Sequence, residues 1–146
     1  MFSVRRKKLT GIADAWIRLG WQEHDRDKFI SLCSSEFINH STSGSSTAAF
    51  VSGIFGLYGA FPDFYAKFGS QIVDVRTHKV AILWTGIGTH CGDMPGFPAT
   101  GRTLIFRGIE IIRIHDDKVV ERWGESDIHS VLARSPQPIC MSGTID

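Results

Sequence analysis

Two long alternating runs, separated by one breaker-rich loop, leave few folds open to this chain. Val80 to His90 sets Val80, Ile82, Trp84, Gly86, Gly88 and His90 on one side. Arg102 to Ile114 sets Leu104, Phe106, Gly108, Glu110, Ile112 and Ile114 on one side. After a tight connection at His115 to Lys118, Val119 to Asp127 returns with the same period. Period-two patterning and the Asp116-Asp117 turn predict an antiparallel hairpin. Gly86, Gly88 and Gly108 inside such long strands permit a bend or a close contact, so the sheet is expected to curve strongly.

The first part of the chain has a different period. Leu9, Ile12, Ala13, Trp16 and Leu19 recur at helical spacing and predict a helix over Leu9 to Trp21. Asp25 to Leu32 reads as a second short helix, and Glu36 to His40 as a brief strand or extended link. A polar loop, Ser41 to Ser46, supplies a cap at Ser45 or Ser46 for a third helix over Ala48 to Tyr58, which Pro62 ends. Phe64 to Phe68 and Gln71 to Arg76 read as extended, and Ile128 to Leu132 as a final short helix. Helices first and strands later describe an α+β domain: three N-terminal helices on a strongly curved, mainly antiparallel sheet, with a cavity on its hollow side.

At 146 residues, the chain holds one domain with a sizeable core. The expected organisation is a flexible basic N-terminus over residues 1–8, one domain over residues 9–134 and a polar tail over residues 135–146. Arg5, Arg6, Lys7 and Lys8 carry four of the 16 basic residues, against 15 acidic ones. The rest of the chain is therefore net acidic, which excludes a phosphate-binding body and argues against nucleic acid as a partner. No run approaches the roughly 18 to 20 apolar residues that span a bilayer, so no membrane partner is expected. Cys33, Cys91 and Cys140 are odd in number and widely spaced, which fits free thiols in a reducing cytoplasm. No metal spacing and no phosphate cradle occurs, so the spacing gives a metal site no special support and suggests neither Rossmann nor P-loop chemistry.

Candidate chemistry concentrates near the strand ends. In the last strand Glu121, Trp123, Glu125 and Asp127 share a face if no bulge intervenes. Trp123 is a poor choice for open solvent, so that face is expected to look inward. Val120, Arg122, Gly124 and Ser126 are then on the other side. Asp127 has two readings: it caps the helix that follows, or it meets the cavity as a carboxylate that moves a proton. Glu121 is placed to pair across the hairpin with a residue between Arg107 and Arg113. Glu110 stands alone on an otherwise apolar face, which makes it a pocket candidate. His40 and His90 each end an extended stretch and can donate to a carbonyl oxygen.

The segments AFPDF at 60–64 and WTGIGTHCGDMPGFPATGRTLIFRGIEIIRIHDDKVVERWGESD at 84–127, with the helices before them, resemble the SnoaL-like polyketide cyclase family. The resemblance covers roughly residues 60 to 132, and its ordered set of GTHxG, PxTG, RGIxIxRI and KVVExW…D carries it. It implies the conical fold of the nuclear transport factor 2-like superfamily, with a pocket between helices and sheet. It also implies a polyketide ester substrate, intramolecular aldol ring closure and no cofactor. Asp127 matches the strand-ending aspartate that serves as acid and base in the family, and His90 matches the histidine of GTHxG. Together they are the expected catalytic pair.

The expected substrate wall is His40, Tyr58, Phe61, Asp63, Trp84, Phe106, Glu110 and Trp123, with Asp63 structural or at the entrance. The substrate expected is a small apolar or aromatic carbonyl compound, and the protein a homodimer or homotetramer. A related isomerase, dehydratase or hydrolase, a non-enzymatic small-ligand-binding protein and an assembly subunit are the alternatives, since one fold hosts many activities.

Overall fold

The computed structural model describes residues 2–41 and 46–135. Four helices lie on a five-stranded, curled and unclosed sheet, the α+β architecture expected above. The order is α1 (Phe2–Trp21), α2 (Arg26–Leu32), β1 (Cys33–Asn39), α3 (Thr47–Ala60), β2 (Tyr65–Asp74), β3 (Lys79–Thr89), β4 (Thr103–His115), β5 (Lys118–Ser126) and α4 (Ile128–Arg134). Across the sheet the strands run β1-β5-β4-β3-β2, parallel between β1 and β5 and antiparallel elsewhere.

The elements start where local chemistry allows. Asp25 caps α2 by accepting from Lys28 N at 3.1 Å, and Ser46 caps α3 by accepting from Ala49 N at 3.2 Å. The alternative cap at Ser45, and the tail from residue 136, lie outside the described residues. Three boundaries differ from the sequence reading. Helix α1 begins at Phe2 rather than Leu9, because Val4 to Lys8 contains no helix breaker. Strand β1 begins at Cys33, whose φ of −79° and ψ of 138° are already extended. The two extended pieces after Pro62 form one strand, β2, with a register shift between Phe68 and Gln71.

The hairpin joining β4 to β5 turns on Asp116 and Asp117, with φ of 48° and 60°. Positive φ at both central residues is the conformation whose twist matches two right-twisted strands, and aspartate tolerates it. One residue later the ladder slips. Ile114 pairs with Val119, but Arg113 pairs with Glu121, so Val120 is an extra residue in β5. That bulge decides which side chains of β5 enter the molecule.

The core fills the hollow side of the sheet. Val80, Ile82, Phe106, Ile112 and Val119 are fully buried from the strands, with Trp16 and Phe29 from the helices. Trp16 stacks on Phe50 at a 5.8 Å ring separation and tilts against Phe29 at 4.4 Å. Large rings burying 150–250 Å² each carry much of such a core. Gly108 is opposite Trp84 in the β3–β4 ladder, and a side chain at Gly108 would overlap the indole. Its absence lets Trp84 lie flat on the sheet.

Candidate active site

A cavity of about 450 Å³ opens between α3, α4 and the hollow side of the sheet. Phe50, Ile54 and Leu57 of α3, Phe64 before β2 and Trp84 of β3 supply apolar wall. Met94 comes from the long loop and Ile128 from α4, while Ser41, Ser126 and His129 add polar groups. This size lies within the 300–1,000 Å³ range of small-molecule sites.

A charged pair lines this cavity. Glu110 is 1% exposed, and its Oε1 accepts from Trp16 Nε1 at 2.9 Å and from Arg122 Nε at 2.5 Å. Arg122 donates through Nη1 to Asn39 Oδ1 at 3.1 Å, and its guanidinium lies 4.6 Å from the centre of the Phe50 ring. Among the described residues Glu110 Oε2 has no hydrogen bond of its own, which leaves an oxygen on the cavity side. A lone buried carboxylate would be costly, and the guanidinium opposite offsets that cost. Local geometry explains the pairing. Glu110 pairs with Gly124 and Ile112 with Arg122, so Glu110 and Arg122 are diagonal neighbours on one face. A side chain at Gly124 would overlap the guanidinium, so glycine leaves the space in which Arg122 lies.

Asp127 takes a third course, neither capping α4 nor joining the inner wall. No side-chain cap bond forms at α4; instead Asp127 Oδ1 accepts from Arg107 N at 2.7 Å while Asp127 N donates to Arg107 O at 3.0 Å. The residue thus extends the β4–β5 ladder by one rung. Asp127 is half-buried in a second hollow with Leu83, Thr85, Arg107, Ile109 and Ser130. The two hollows adjoin, sharing Trp84, Glu125 and Ser126 in their walls.

A family model for SnoaL-like polyketide cyclases matches residues 12–134. The chain belongs to the SnoaL-like polyketide cyclase family. Solved structures share the fold. AclR of Streptomyces galilaeus, a candidate hydroxylase, is 27% identical with a TM-score of 0.72, over 92% of this chain and 82% of that one. A candidate SnoaL-like polyketide cyclase of Jannaschia sp. CCS1 is 17% identical with a TM-score of 0.76, over 89% and 94%. IdmH of Streptomyces antibioticus, a candidate polyketide cyclase, is 20% identical with a TM-score of 0.73, over 86% and 96%. A search of curated proteins finds no sequence match.

Within this SnoaL-like fold the expected site residues divide into three groups. Glu110 and Trp84 line the inner cavity. Phe61 and Phe106 are fully buried beneath it, packed edge to face at 5.2 Å. Tyr58 stacks on His24 at 3.6 Å and donates its hydroxyl to Gly20 O, and burial pushes its pKa up. Asp63 is exposed and accepts from Thr89 N and Thr89 Oγ1, each at 2.7 Å, bonds that hold its pKa below the usual value. These four hold the fold around the cavity and do not form its wall.

His90 is also inside the fold. It is fully buried, stacked on Phe61 at 5.0 Å, with Thr100 Oγ1 3.3 Å from Nδ1. Nε2 has no hydrogen-bond partner among the described residues. His90 is not in the wall of either hollow flanking Ser126.

Trp123 and His40 correct the expected facing of β5. Arg122 and Gly124 line the inner cavity, so Trp123 between them points the opposite way. There it stacks on His40 at 4.7 Å, with Lys79 Nζ 5.0 Å from its ring centre. His40 donates through Nε2 to Glu121 Oε2 at 2.8 Å, and Arg113 pairs with Glu121 across the hairpin as expected. Desolvation works to raise the Glu121 pKa, but the bonds from His40 and Arg113 outweigh it and lower it. The alternation from Glu121 onward holds, and what fails is the choice of Trp123 as the inward marker: the extra residue Val120 sets Arg122 and Gly124, not Trp123, on the side of buried Val119.

Arg122, Phe50 and Phe64 are among the wall residues the sequence reading missed. One signal for Arg122 was present: a lone acid on an apolar face needs a buried cation, and Arg122 precedes by two a glycine that gives it room. Among the described residues no group of three or more His, Cys, Asp or Glu side chains could hold a metal ion, and no helix is long and apolar enough to cross a membrane.

Proposed function

We propose that this chain catalyses, without a cofactor, an intramolecular aldol-type ring closure of a small polyketide-like carbonyl or ester compound. One observation carries the reading: an apolar, aromatic-walled cavity of about 450 Å³ with the Glu110–Arg122 pair in its lining. The family match supports the same general role. Bound in that hollow, one substrate molecule holds its nucleophilic carbon against its own carbonyl, and proximity supplies much of the acceleration.

In this reading Asp127 is the acid and base, working from the second hollow, beside the Ser126 that both hollows share. Its carboxylate takes a proton from a carbon activated by neighbouring carbonyls, and the C–H electrons move into the enolate. The enolate carbon then bonds to the second carbonyl carbon, whose π electrons go to oxygen. The protonated Asp127 returns its proton to that alkoxide. Bond and proton counts close without another reactant. Support for Asp127 comes from its match to the family pattern and, among the described residues, from its engagement through Oδ1 alone. His90, buried against Phe61, fits a structural role in this scheme.

The test uses a linear ester with a 1,3-dicarbonyl unit and a distal ketone, with ring closure followed by mass spectrometry and absorbance. Asp127→Asn keeps an oxygen for Arg107 N and is expected to slow closure by about 10²- to 10⁴-fold with folding retained. Unchanged turnover rejects Asp127 as the base, and binding without conversion favours the ligand-binding alternative. The likeness to AclR favours one second reading, hydroxylation, whose product would be heavier by one oxygen. Isomerised, dehydrated or hydrolysed product would assign the chain to the other activities this fold hosts.

The outer face supports self-association into a homodimer or homotetramer. Leu83, Ile87, Ile105 and Ile109 are 42 to 53% exposed on neighbouring strands. Leu83 pairs with Ile109 and Ile87 with Ile105, with the Thr85–Arg107 rung between them, and exposed apolar pairs of this kind favour an interaction surface.

A further inference from the structure

We propose that Arg122 is the oxyanion anchor of the cavity: its free guanidinium N–H groups bind the substrate oxygen that carries negative charge, and Glu110 and Asn39 are positioning residues that aim it. The proposal rests on reading the inner cavity as the substrate site.

The hydrogen-bond inventory of Arg122 points to this role. A guanidinium has five N–H donors in a fixed fork. Glu110 takes Nε, and Asn39 takes one hydrogen of Nη1. Nη2 lies over Gly124, a wall residue, with no protein acceptor among the described residues. Those uncommitted donors are in a hollow lined by Phe50, Phe64 and Trp84, where a charged hydrogen bond is far stronger than in water. A purely structural arginine would be expected to spend its donors on the protein.

The surrounding side chains hold this geometry rigidly. The Phe50 face holds one side of the guanidinium plane at 4.6 Å. Trp16, buried in the core, is the second donor to Glu110 Oε1 and holds that carboxylate in place. Backbone is recruited as well: Gly124 N donates to Ser41 Oγ, which ties the strand beneath Arg122 to the chain following β1. A donor set held this way needs no rearrangement as charge develops on an enolate or alkoxide oxygen. The inferred ligand class is therefore a flat, conjugated carbonyl compound presenting one anionic oxygen, with rings against Phe64 and Trp84 and the oxygen at Nη2.

The test is binding, which separates this inference from turnover. The probes are 3-hydroxy-2-naphthoate and its neutral methyl ester, titrated into the full chain by calorimetry. The native protein is expected to prefer the anion by about tenfold or more, the scale of one charge-assisted hydrogen bond. The double variant Glu110→Gln/Arg122→Gln removes both charges together, and is expected to bind the ester as before while losing the preference. Gly124→Ala, which pushes on the guanidinium without altering any charge, is expected to reduce the preference several-fold; Asp127→Asn is expected to keep it. Equal affinity of the native protein for acid and ester overturns the proposal, as does a preference that survives in the double variant. If the double variant fails to fold, Gly124→Ala with an unchanged preference is sufficient to overturn it. If the preference depends on Arg122 while no ring closes on the linear ester, the anchor stands and the proposed reaction falls.

Discussion

The two faces of the sheet use similar residues for opposite ends. On the hollow face, Trp84, Phe106, Glu110, Ile112 and Arg122 are packed under helices or line the cavity. On the other face, Leu83, Ile105, Ile109 and Glu125 remain exposed, and half-buried Trp123 packs against His40 and Lys79. Both faces carry large apolar side chains, so hydrophobicity alone does not tell them apart. What separates them is the treatment of charge. Inside, Glu110 is matched by one guanidinium and one indole. Outside, Glu121 shares solvent with His40 and Arg113. Breaking a charge pair should therefore matter greatly on one face and little on the other.

The largest effect is expected from unpairing the inner face. Arg122→Ala leaves Glu110 buried without its cation and should cost roughly 3–5 kcal/mol of stability. Chemical denaturation would measure it, against Arg113→Ala on the outer face, which should cost about 1 kcal/mol or less. Equal losses would erase the contrast. Next comes packing: Gly108→Val drives a branched side chain into Trp84 and should cost about 1–3 kcal/mol while distorting the cavity wall. The drop in melting temperature and quenching of tryptophan emission would report it.

A smaller change in stability, with a distinct readout, is expected on the outer face. Ile109→Glu is half-exposed and should alter stability by about 0.5 kcal/mol or less. If the outer face joins copies, sedimentation should show the native assembly dissociating in that variant. An unchanged sedimentation coefficient would sharpen the picture by removing this face from assembly. The smallest effect is a pH dependence. Hydrogen bonds from Thr89 lower the Asp63 pKa in the folded state, so its contribution is present above the unfolded value near 3.8 and is lost as pH falls through the folded value. Asp63→Asn should lower the urea midpoint at neutral pH, with the gap from the native protein closing below about pH 4. A gap that widens on acidification would reverse the sign.

Much of this architecture was legible in the chain before folding. Alternation over β3 and β4, the paired aspartates at the turn and the Ser46 cap are local signals, and each was realised where it was read. The charged residues were harder. Glu110 stood out because an acid among Leu104, Phe106 and Ile112 breaks a local pattern. Arg122 did not, because its facing depends on a single extra residue, Val120, that the pattern of β5 does not announce. Asp127 likewise matched two local motifs, a cap and a strand-end carboxylate, and in the fold its Oδ1 accepts from the amide of Arg107, twenty residues earlier.

Sequence determined by itself the order and kind of elements, the hairpin and the presence of one misfit acid, because these follow from short-range periodicity and turn conformation. Tertiary structure alone decided which face of β5 looks inward and which cation meets Glu110. It also decided that Asp127 lies in the second hollow, next to Ser126, and outside the wall of the inner cavity. Those outcomes depend on register between strands far apart in sequence, and one bulge reverses the facing of every residue beyond it.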